Sequence, residues 1–367
     1  MKKALIIATI ENFLAFEVND IHLLQGLGYE VHIATNIKEA TYTVLIDGVY
    51  KHDICFQRKP FSKKNIEAYK KLATLVKKIS FDLIHCHTPV GGVMGRIVGH
   101  KYKVFTIYTA HGFHFYKGAP IKNWLLYYPI EKFLSRWTDI LITINKEDYE
   151  RAKKFYAKKV KYIPGVGIDI EKIENIKVER NKKRKELGIP EDVLVLLSVG
   201  ELSKRKNHIS VIRAMGQIKN KKIYYIICGQ GELKEQLENI AKKEGVAEQV
   251  KLLGYRRDII EIYKMADIYV FPSLQEGLPV ALMEAMASGL PCIVSDIRGN
   301  NDLISNQVNG IAFSKKDNEE LVNAIKLLAY NNELLQKFSK RGKEIVQNNS
   351  IEKIKEKMQK LYSEYKM

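Results

Sequence analysis

Two carboxylates, Glu276 and Glu284, stand eight positions apart around the turn Gly277-Leu278-Pro279 and a following run of small residues. The stretch Pro279 to Ser288 reads as a helix, and Pro279 suits its first position, where a missing N–H costs nothing. A helix start presents unpaired backbone N–H groups and the positive end of a dipole, so it attracts anions. A carboxylate beside an anion site fits a ligand that also carries hydroxyls for it to accept from. A nucleotide-activated sugar has a diphosphate and two sets of hydroxyls.

These residues need elements that end where the ligand binds. An apolar run, Ala266 to Pro272, precedes Glu276 and reads as a buried parallel strand. In the first half, strands are predicted at 3–10, 30–34, 82–87, 104–109, 139–145 and 160–164, with helices between them that include 63–79, 122–137 and 146–156. In the second half, strands at 193–199, 223–228, 250–253, 268–272 and 292–295 alternate with helices near 207–219, 232–244, 258–264 and 279–288. Such alternation implies an α/β chain of two doubly wound, Rossmann-like domains with parallel sheets and right-handed crossovers. The boundary is expected at Pro164-Gly165-Val166-Gly167, dividing 1–165 from 166–350. The charged stretch 171–186 reads as linker plus a helix. Residues 351–367 carry a last amphipathic helix, 351–365, expected to pack one face on a domain surface.

Ligands of such sheets bind beyond the carboxyl ends of the strands. That rule selects Gly200 to Asn207, Gly229-Gln230-Gly231, the Glu276 loop and Ser295 to Asn301 in the second half, and His111-Gly112 in the first. Two such edges facing each other would enclose a cleft.

The chain has 367 residues, 46% of them hydrophobic, enough for about two domains by the rule of ~150 residues each. No run approaches the ~18 apolar residues that span a bilayer. The apolar run after Lys2-Lys3 ends at Glu11 without a cleavage site and reads as a first strand. The four cysteines, Cys55, Cys86, Cys228 and Cys292, form no Cys-x-x-Cys pair. Disulfides and structural zinc are therefore not expected, and a reducing cytoplasm fits. The net charge is +18, and residues 1–165 supply +12 of it, with 26 Lys and Arg against 14 Asp and Glu. Nucleic acid, an anionic membrane or an anionic substrate each answers such an excess, and lysines scattered over solvated faces give the same total. No RNA-recognition, zinc or helix-turn-helix signature accompanies it, so nucleic acid is set aside.

The chain resembles the retaining glycosyltransferases of family 4, which have the GT-B fold. The resemblance is carried by Glu276-Gly277-Leu278-Pro279 through Glu284, by Ala285 to Pro291, by Ser198-Val199-Gly200 with Lys206-Asn207, by Gly229 and Gly231, and by Pro164 to Asp169. It covers essentially the whole chain and is strongest over 193–300. Thr109 to Phe115, with His111 and His114, and Asp296 to Asn300, with Arg298, resemble the bacterial capsule, exopolysaccharide and glycan-assembly transferases.

The resemblance implies transfer of a sugar from a nucleotide-diphosphate donor, UDP-linked, to a glycan or polyprenyl-diphosphate-linked acceptor, with the donor as the sole small-molecule requirement. No Asp-x-Asp pair occurs, so a Mg²⁺- or Mn²⁺-bridged donor is not expected. By resemblance, Glu284 binds ribose hydroxyls and Glu276 accepts from hydroxyls of the transferred sugar. The N–H groups near Gly277, Leu278 and Pro279 face the donor, Lys206 contacts the diphosphate, and Gly200, Arg205, Gly229 and Gly231 complete the donor site. His111 lies near the transferred sugar, so Glu276, Lys206 and His111 form the expected catalytic set.

Two departures from the family pattern stand out. The residue after Gly200 is Glu201, where the family often has an arginine for the diphosphate; Lys204, Arg205 or Arg298 is left to compensate. The first turn, Thr9-Ile10-Glu11-Asn12, lacks the family's paired glycines, so either other contacts serve or this loop reads the acceptor, with Glu11 a candidate base. His114 is either an acceptor contact or part of an aromatic surface. The segment 113–137 is rich in aromatics and lysine, which suits a domain core or an anionic membrane interface equally. A nucleotide-sugar epimerase and a non-catalytic sugar-nucleotide-binding protein share the same fold and remain as alternatives.

Overall fold

The computed structural model describes residues 1–364. The chain divides into two compact units, Met1–Val166 with the segment from Ile351 onward, and Gly167–Ser350. In the first unit, β1 (Lys2–Ile10), β2 (Tyr29–Asn36), β3 (Val49–Asp53), β4 (Leu83–His87), β5 (Phe105–Ala110), β6 (Ile140–Thr143) and β7 (Lys159–Tyr162) form one sheet. Its order is β3-β2-β1-β4-β5-β6-β7, and every pairing is parallel. In the second unit, β8 (Leu194–Val199), β9 (Ile223–Cys228), β10 (Val250–Gly254), β11 (Ile268–Phe271), β12 (Cys292–Ser295) and β13 (Gly310–Phe313) pair in the order β10-β9-β8-β11-β12-β13, also all parallel.

Both orders reverse direction once, between β1 and β4 and between β8 and β11. In doubly wound sheets that reversal opens a crevice beyond the strand ends, where ligands bind. The central strands are continuous apolar runs because helices cover both faces. Along β1, Leu5 and Ile7 enter one core cluster while Ala4, Ile6 and Ala8 enter another, as the period-two alternation of a strand requires.

The second unit opens with two short helices, Ile170–Asn175 and Arg180–Glu186. Although strongly charged, the latter buries Lys183 and Arg184. Lys183 meets Asp258 at 2.6 Å and Glu261 at 2.8 Å, and Arg184 meets Asp267 at 2.6 Å. The final helix, Ile351–Ser363, returns to the first unit and buries Ile354, Met358, Leu361 and Tyr362 in the core beneath β1 and β2. Fully burying an apolar side chain of this size contributes about 1.5–3 kcal/mol. Tyr365, at the expected end of this helix, lies outside the described residues. Among the described residues no helix is long and apolar enough to cross a membrane.

Candidate active site

In the second unit the loops after β8, β9, β11 and β12 meet at the switch point. The loop after β8 carries Gly200 to Lys206. Gly229, after β9, lies so close that a Cβ there would sit 1.9 Å from the Gly200 carbonyl oxygen, and one on Gly231 would sit 2.5 Å from that of Leu202. No side chain fits at either place. Gly299, at φ +82°, likewise lies against the Gly277 carbonyl, which a Cβ would approach to 2.4 Å. These approaches join the loops in two pairs, and the Leu274 N–H, donating to the Arg205 carbonyl at 2.8 Å, links the pairs into one backbone surface.

Glu276 stands at its centre and is almost wholly buried. Its Oε1 accepts from Lys206 Nζ at 2.8 Å and from Arg205 at 2.8 Å. Lys206 is equally buried and lies over the Phe271 ring, 4.5 Å from its centroid. Burial pushes the Lys206 ammonium below its ordinary pKa, with Glu276 acting against that shift and Arg205 adding to it. Arg298 donates from Nε to the Glu276 carbonyl oxygen at 3.2 Å and so fixes the loop. Of the three cations left to compensate for Glu201, Arg205 is thus the one that shares a carboxylate with Lys206. Lys204 is exposed, and so is Glu201, whose backbone carbonyl lies 3.3 Å from His208 Nε2.

The helix after the Gly277-Leu278-Pro279 turn runs Val280–Ala287. Pro279 is its N-cap, at ψ 114°, rather than its first helical residue. The expected position is corrected by one residue, because an extended ψ is what carries the chain from the strand into the helix. Leu282, Met283, Ala285 and Met286 are buried and leave Glu284 on the partly open face. Tyr263 donates to Glu284 Oε2 at 3.2 Å. Burial raises the Glu284 pKa, and the tyrosine bond opposes the rise. Tyr269 stacks on Phe271 at 5.7 Å and meets the Tyr263 ring at a tilt of 59° and 5.8 Å, giving the site an aromatic floor.

In the first unit, His111 follows β5 and lines a cavity of about 250 Å³ together with Phe13, His114, Tyr127 and Glu131. His114 stacks on Tyr127 at 4.5 Å, within an aromatic cluster that also holds Trp124, Tyr128, Phe113 and Phe115. Phe113 and Phe115 are core residues; the exposed apolar side chains of this segment are Ile121, Leu125, Ile130 and Phe133. Burial lowers His111 to about 4 and His85 to about 3.

Glu11, the candidate base of the first turn, sits at the start of the 3₁₀ turn after β1. It is fully buried and ion-paired to Lys51 of β3 at 2.6 Å. Three residues escaped the sequence reading: Glu17, His85 and His87. His85 and His87 alternate along β4, and His87 Nδ1 lies 3.2 Å from His111 Nε2. Two histidines two apart at the end of an apolar strand were the available signal.

The family model described as Glycosyl transferases group 1 matches residues 179–345, and the one described as Glycosyl transferase 4-like matches 3–145. EpsD of Bacillus subtilis (strain 168), a glycosyltransferase by name, is 35% identical over 99% of this chain and 97% of its own. The UDP-Gal:alpha-D-GlcNAc-diphosphoundecaprenol alpha-1,3-galactosyltransferase of Escherichia coli is 34% identical over 71% of this chain and 70% of its own. Among solved structures, Anabaena HepE in complex with UDP and glucose matches with a TM-score of 0.82, covering 99% of this chain and all of that one, at 19% identity. That likeness establishes the GT-B fold. With both family models matched and EpsD alike over its full length, this chain belongs to the GT-B glycosyltransferases of family 4 type.

Proposed function

We propose that the chain moves a sugar from a UDP-linked donor to a polyprenyl-diphosphate-linked acceptor, retaining the anomeric configuration, in assembly of a bacterial surface glycan. The observation that carries this reading is the single carboxylate oxygen of Glu276 shared by Lys206 and Arg205 at the switch point of the second sheet. A diphosphate offers both cations a multidentate anion, with charge-assisted bonds of the stronger kind. Its arrival frees Glu276 to accept from the sugar hydroxyls. Glu284, held by Tyr263, takes the ribose hydroxyls, and neutral His111 donates to the sugar.

In the reaction the acceptor hydroxyl oxygen bonds to the anomeric carbon as the bond from that carbon to the phosphate oxygen breaks. The bonding electrons leave with UDP. The hydroxyl proton passes to the departing phosphate oxygen on the same face, so no enzymatic nucleophile is required. Lys206 and Arg205 stabilise the charge that builds on that oxygen, an effect largest in a site already organised for it. The donor site therefore works with side-chain cations and no bridging metal. The acceptor class is supported by the Escherichia coli relative, whose name specifies a diphosphoundecaprenol-linked acceptor.

A second reading concerns where the enzyme works. The helix Ile121–Leu134 exposes Ile121 (77%), Leu125 (75%) and Phe133 (49%) along one side, with exposed Lys117, Lys122 and Arg136 nearby. An apolar stripe rimmed by cations suits the surface of an anionic bilayer, where a polyprenyl-linked acceptor resides. The enzyme then acts as a peripheral protein at the inner face of the plasma membrane.

The test is a transfer assay pairing UDP- and GDP-sugars with polyprenyl-diphosphate-linked sugars. The reading expects UDP release and a larger lipid-linked glycan, both dependent on acceptor. Conversion of the donor without acceptor points to an epimerase and overturns it, as does turnover confined to GDP-sugars.

A further inference from the structure

His87 ends β4 and His111 follows β5, so two imidazoles stand at the carboxyl ends of neighbouring strands. His87 Nδ1 lies 3.2 Å from His111 Nε2, a hydrogen bond that takes one proton between the two rings. Burial holds His111 down to about 4 and His87 well below its ordinary value, so at neutral pH each ring carries a single proton. Two arrangements satisfy the bond. Either His87 donates and His111 keeps its own proton on Nδ1, or His111 donates and His87 keeps its proton on Nε2.

The surroundings decide between them. His87 is 1% exposed, and its Nε2 has no hydrogen-bond partner. The ring of His85 lies 4.1 Å away but uses both its nitrogens on Tyr362 and Thr109. A buried N–H without an acceptor is rarer than a bare acceptor, so the His87 proton belongs on Nδ1, directed at His111. Glu17 acts in the same direction. Its Oε1 stands 3.3 Å from His87 Nδ1 and 3.5 Å from His111 Nε2. Burial, with Asp20 adding to it, holds this carboxyl well above the usual carboxylate range. Its proton serves the two ring contacts, and no negative charge is present to draw a second proton onto either imidazole. His111 Nε2 is thereby occupied. Nδ1 makes no hydrogen bond among the described residues, and the His111 side chain, 21% exposed, lines the cavity of about 250 Å³. Phe13 meets the ring edge-on at 4.8 Å and holds its plane.

We propose that His87 is a positioning residue for sugar transfer: it donates from Nδ1 to His111 Nε2, which fixes the His111 proton on Nδ1, from where the ring donates it to a hydroxyl of the transferred sugar. This role rests on the reading that places His111 at the sugar, and it adds which nitrogen makes that contact and what sets it. In the opposite tautomer Nδ1 carries only a lone pair, and the ring accepts from the sugar instead of donating to it. His87 is buried beneath His111 and acts through that ring alone.

The experiment is long-range proton–nitrogen correlation NMR of the full chain carrying isotope-labelled histidine, at neutral pH without substrate, with the His111 signals identified by their loss in His111→Ala. The wild type is expected to show His111 protonated on Nδ1 and bare on Nε2. Transfer from a UDP-sugar to a polyprenyl-diphosphate-linked acceptor is measured on the same proteins. Leu and Asn share one branching pattern, so His87→Leu and His87→Asn differ mainly in whether an amide donor stands in the place of Nδ1. His87→Leu is expected to move the His111 proton to Nε2 in part of the population. It lowers kcat by roughly 10–100-fold, less than the ~10²–10³-fold that losing a positioned donor itself costs, and leaves KM for the UDP-sugar unchanged. His87→Asn restores the Nδ1 tautomer and most of kcat. A wild-type His111 protonated on Nε2, an unchanged tautomer in His87→Leu, or equal rates in the two variants overturns the role. If His87→Leu fails to fold by circular dichroism, the wild-type tautomer and its retention in His87→Asn decide. A wild-type rate in His111→Ala overturns instead the sugar contact on which the role rests, since the tautomer is read with no sugar present.

Discussion

Lys206 and Glu276, 70 positions apart in the chain, hold each other at 2.8 Å where β8 and β11 end. Arg205 completes the arrangement on the same oxygen. The carboxylate keeps two cations assembled when no anion is bound, and it must let go when one is. Pairing matters here because an uncompensated charge in a buried position costs several kcal/mol.

This exchange predicts opposite effects on UDP affinity for two neighbouring substitutions. Lys206→Ala removes a charge-assisted contact worth about 1.5–3 kcal/mol and weakens UDP binding by roughly 10–100-fold. Glu276→Gln removes the competing carboxylate and leaves UDP binding as tight or tighter. Titration calorimetry with UDP distinguishes them; equal weakening in both variants contradicts the exchange.

The C-terminal helix should stabilise the first unit through one tyrosine. Tyr362 lies in the core with its hydroxyl 2.8 Å from His85 Nδ1 and 3.2 Å from Asp20 Oδ2. Tyr362→Phe leaves the buried His85 and the half-buried Asp20 without that bond and lowers stability by about 1–3 kcal/mol. A urea midpoint unchanged from wild type would show the hydroxyl to be dispensable.

Acid sensitivity should trace in part to His208. Burial lowers its pKa from 6.5 to about 4, and the Glu201 carbonyl only partly opposes the shift. Between those values the unfolded chain binds a proton that the folded chain does not. Stability from this group is therefore complete above pH 6.5 and is lost as pH falls toward 4, by about 2 kcal/mol between pH 7 and 4.5. His208→Gln should lose correspondingly less stability over that interval in urea titrations, and parallel losses in both proteins would exclude the histidine.

The exposed stripe on the helix Ile121–Leu134 makes a prediction about membranes. Vesicles containing anionic lipid should co-sediment the protein and neutral vesicles should not. Leu125→Asp combined with Phe133→Asp should abolish that binding while leaving the fold intact, since both side chains face solvent. Equal binding to anionic and neutral vesicles would remove the electrostatic component.

The sequence made the central strands legible and the edges obscure. Buried parallel strands such as Leu194–Val199 and Ile223–Cys228 are unbroken apolar runs, and their ends name the loops that bind ligands. The edge strands β3 and β13 went unread. The first, VYKHD, is polar and half-exposed, and the second has only four residues. That omission has a chemical consequence. With β3 unseen, Lys51 could not be matched to Glu11, so the burial and ion pair of that carboxylate were not legible. The donor loops could be read because each motif is local in sequence. The Glu17, His87 and His111 group could not, because it depends on register: β4 and β5 pair His87 with Thr109, which brings His111 to the same corner.

The central claim is that Glu276 acts on the transferred sugar and not merely on the fold. Its most direct test is the transfer rate of Glu276→Gln at saturating UDP-sugar and acceptor, in protein whose UDP binding has been verified. The account predicts a loss of at least about 100-fold, the size expected when a positioned polar contact is lost from the transition state. Turnover at the wild-type rate would contradict it.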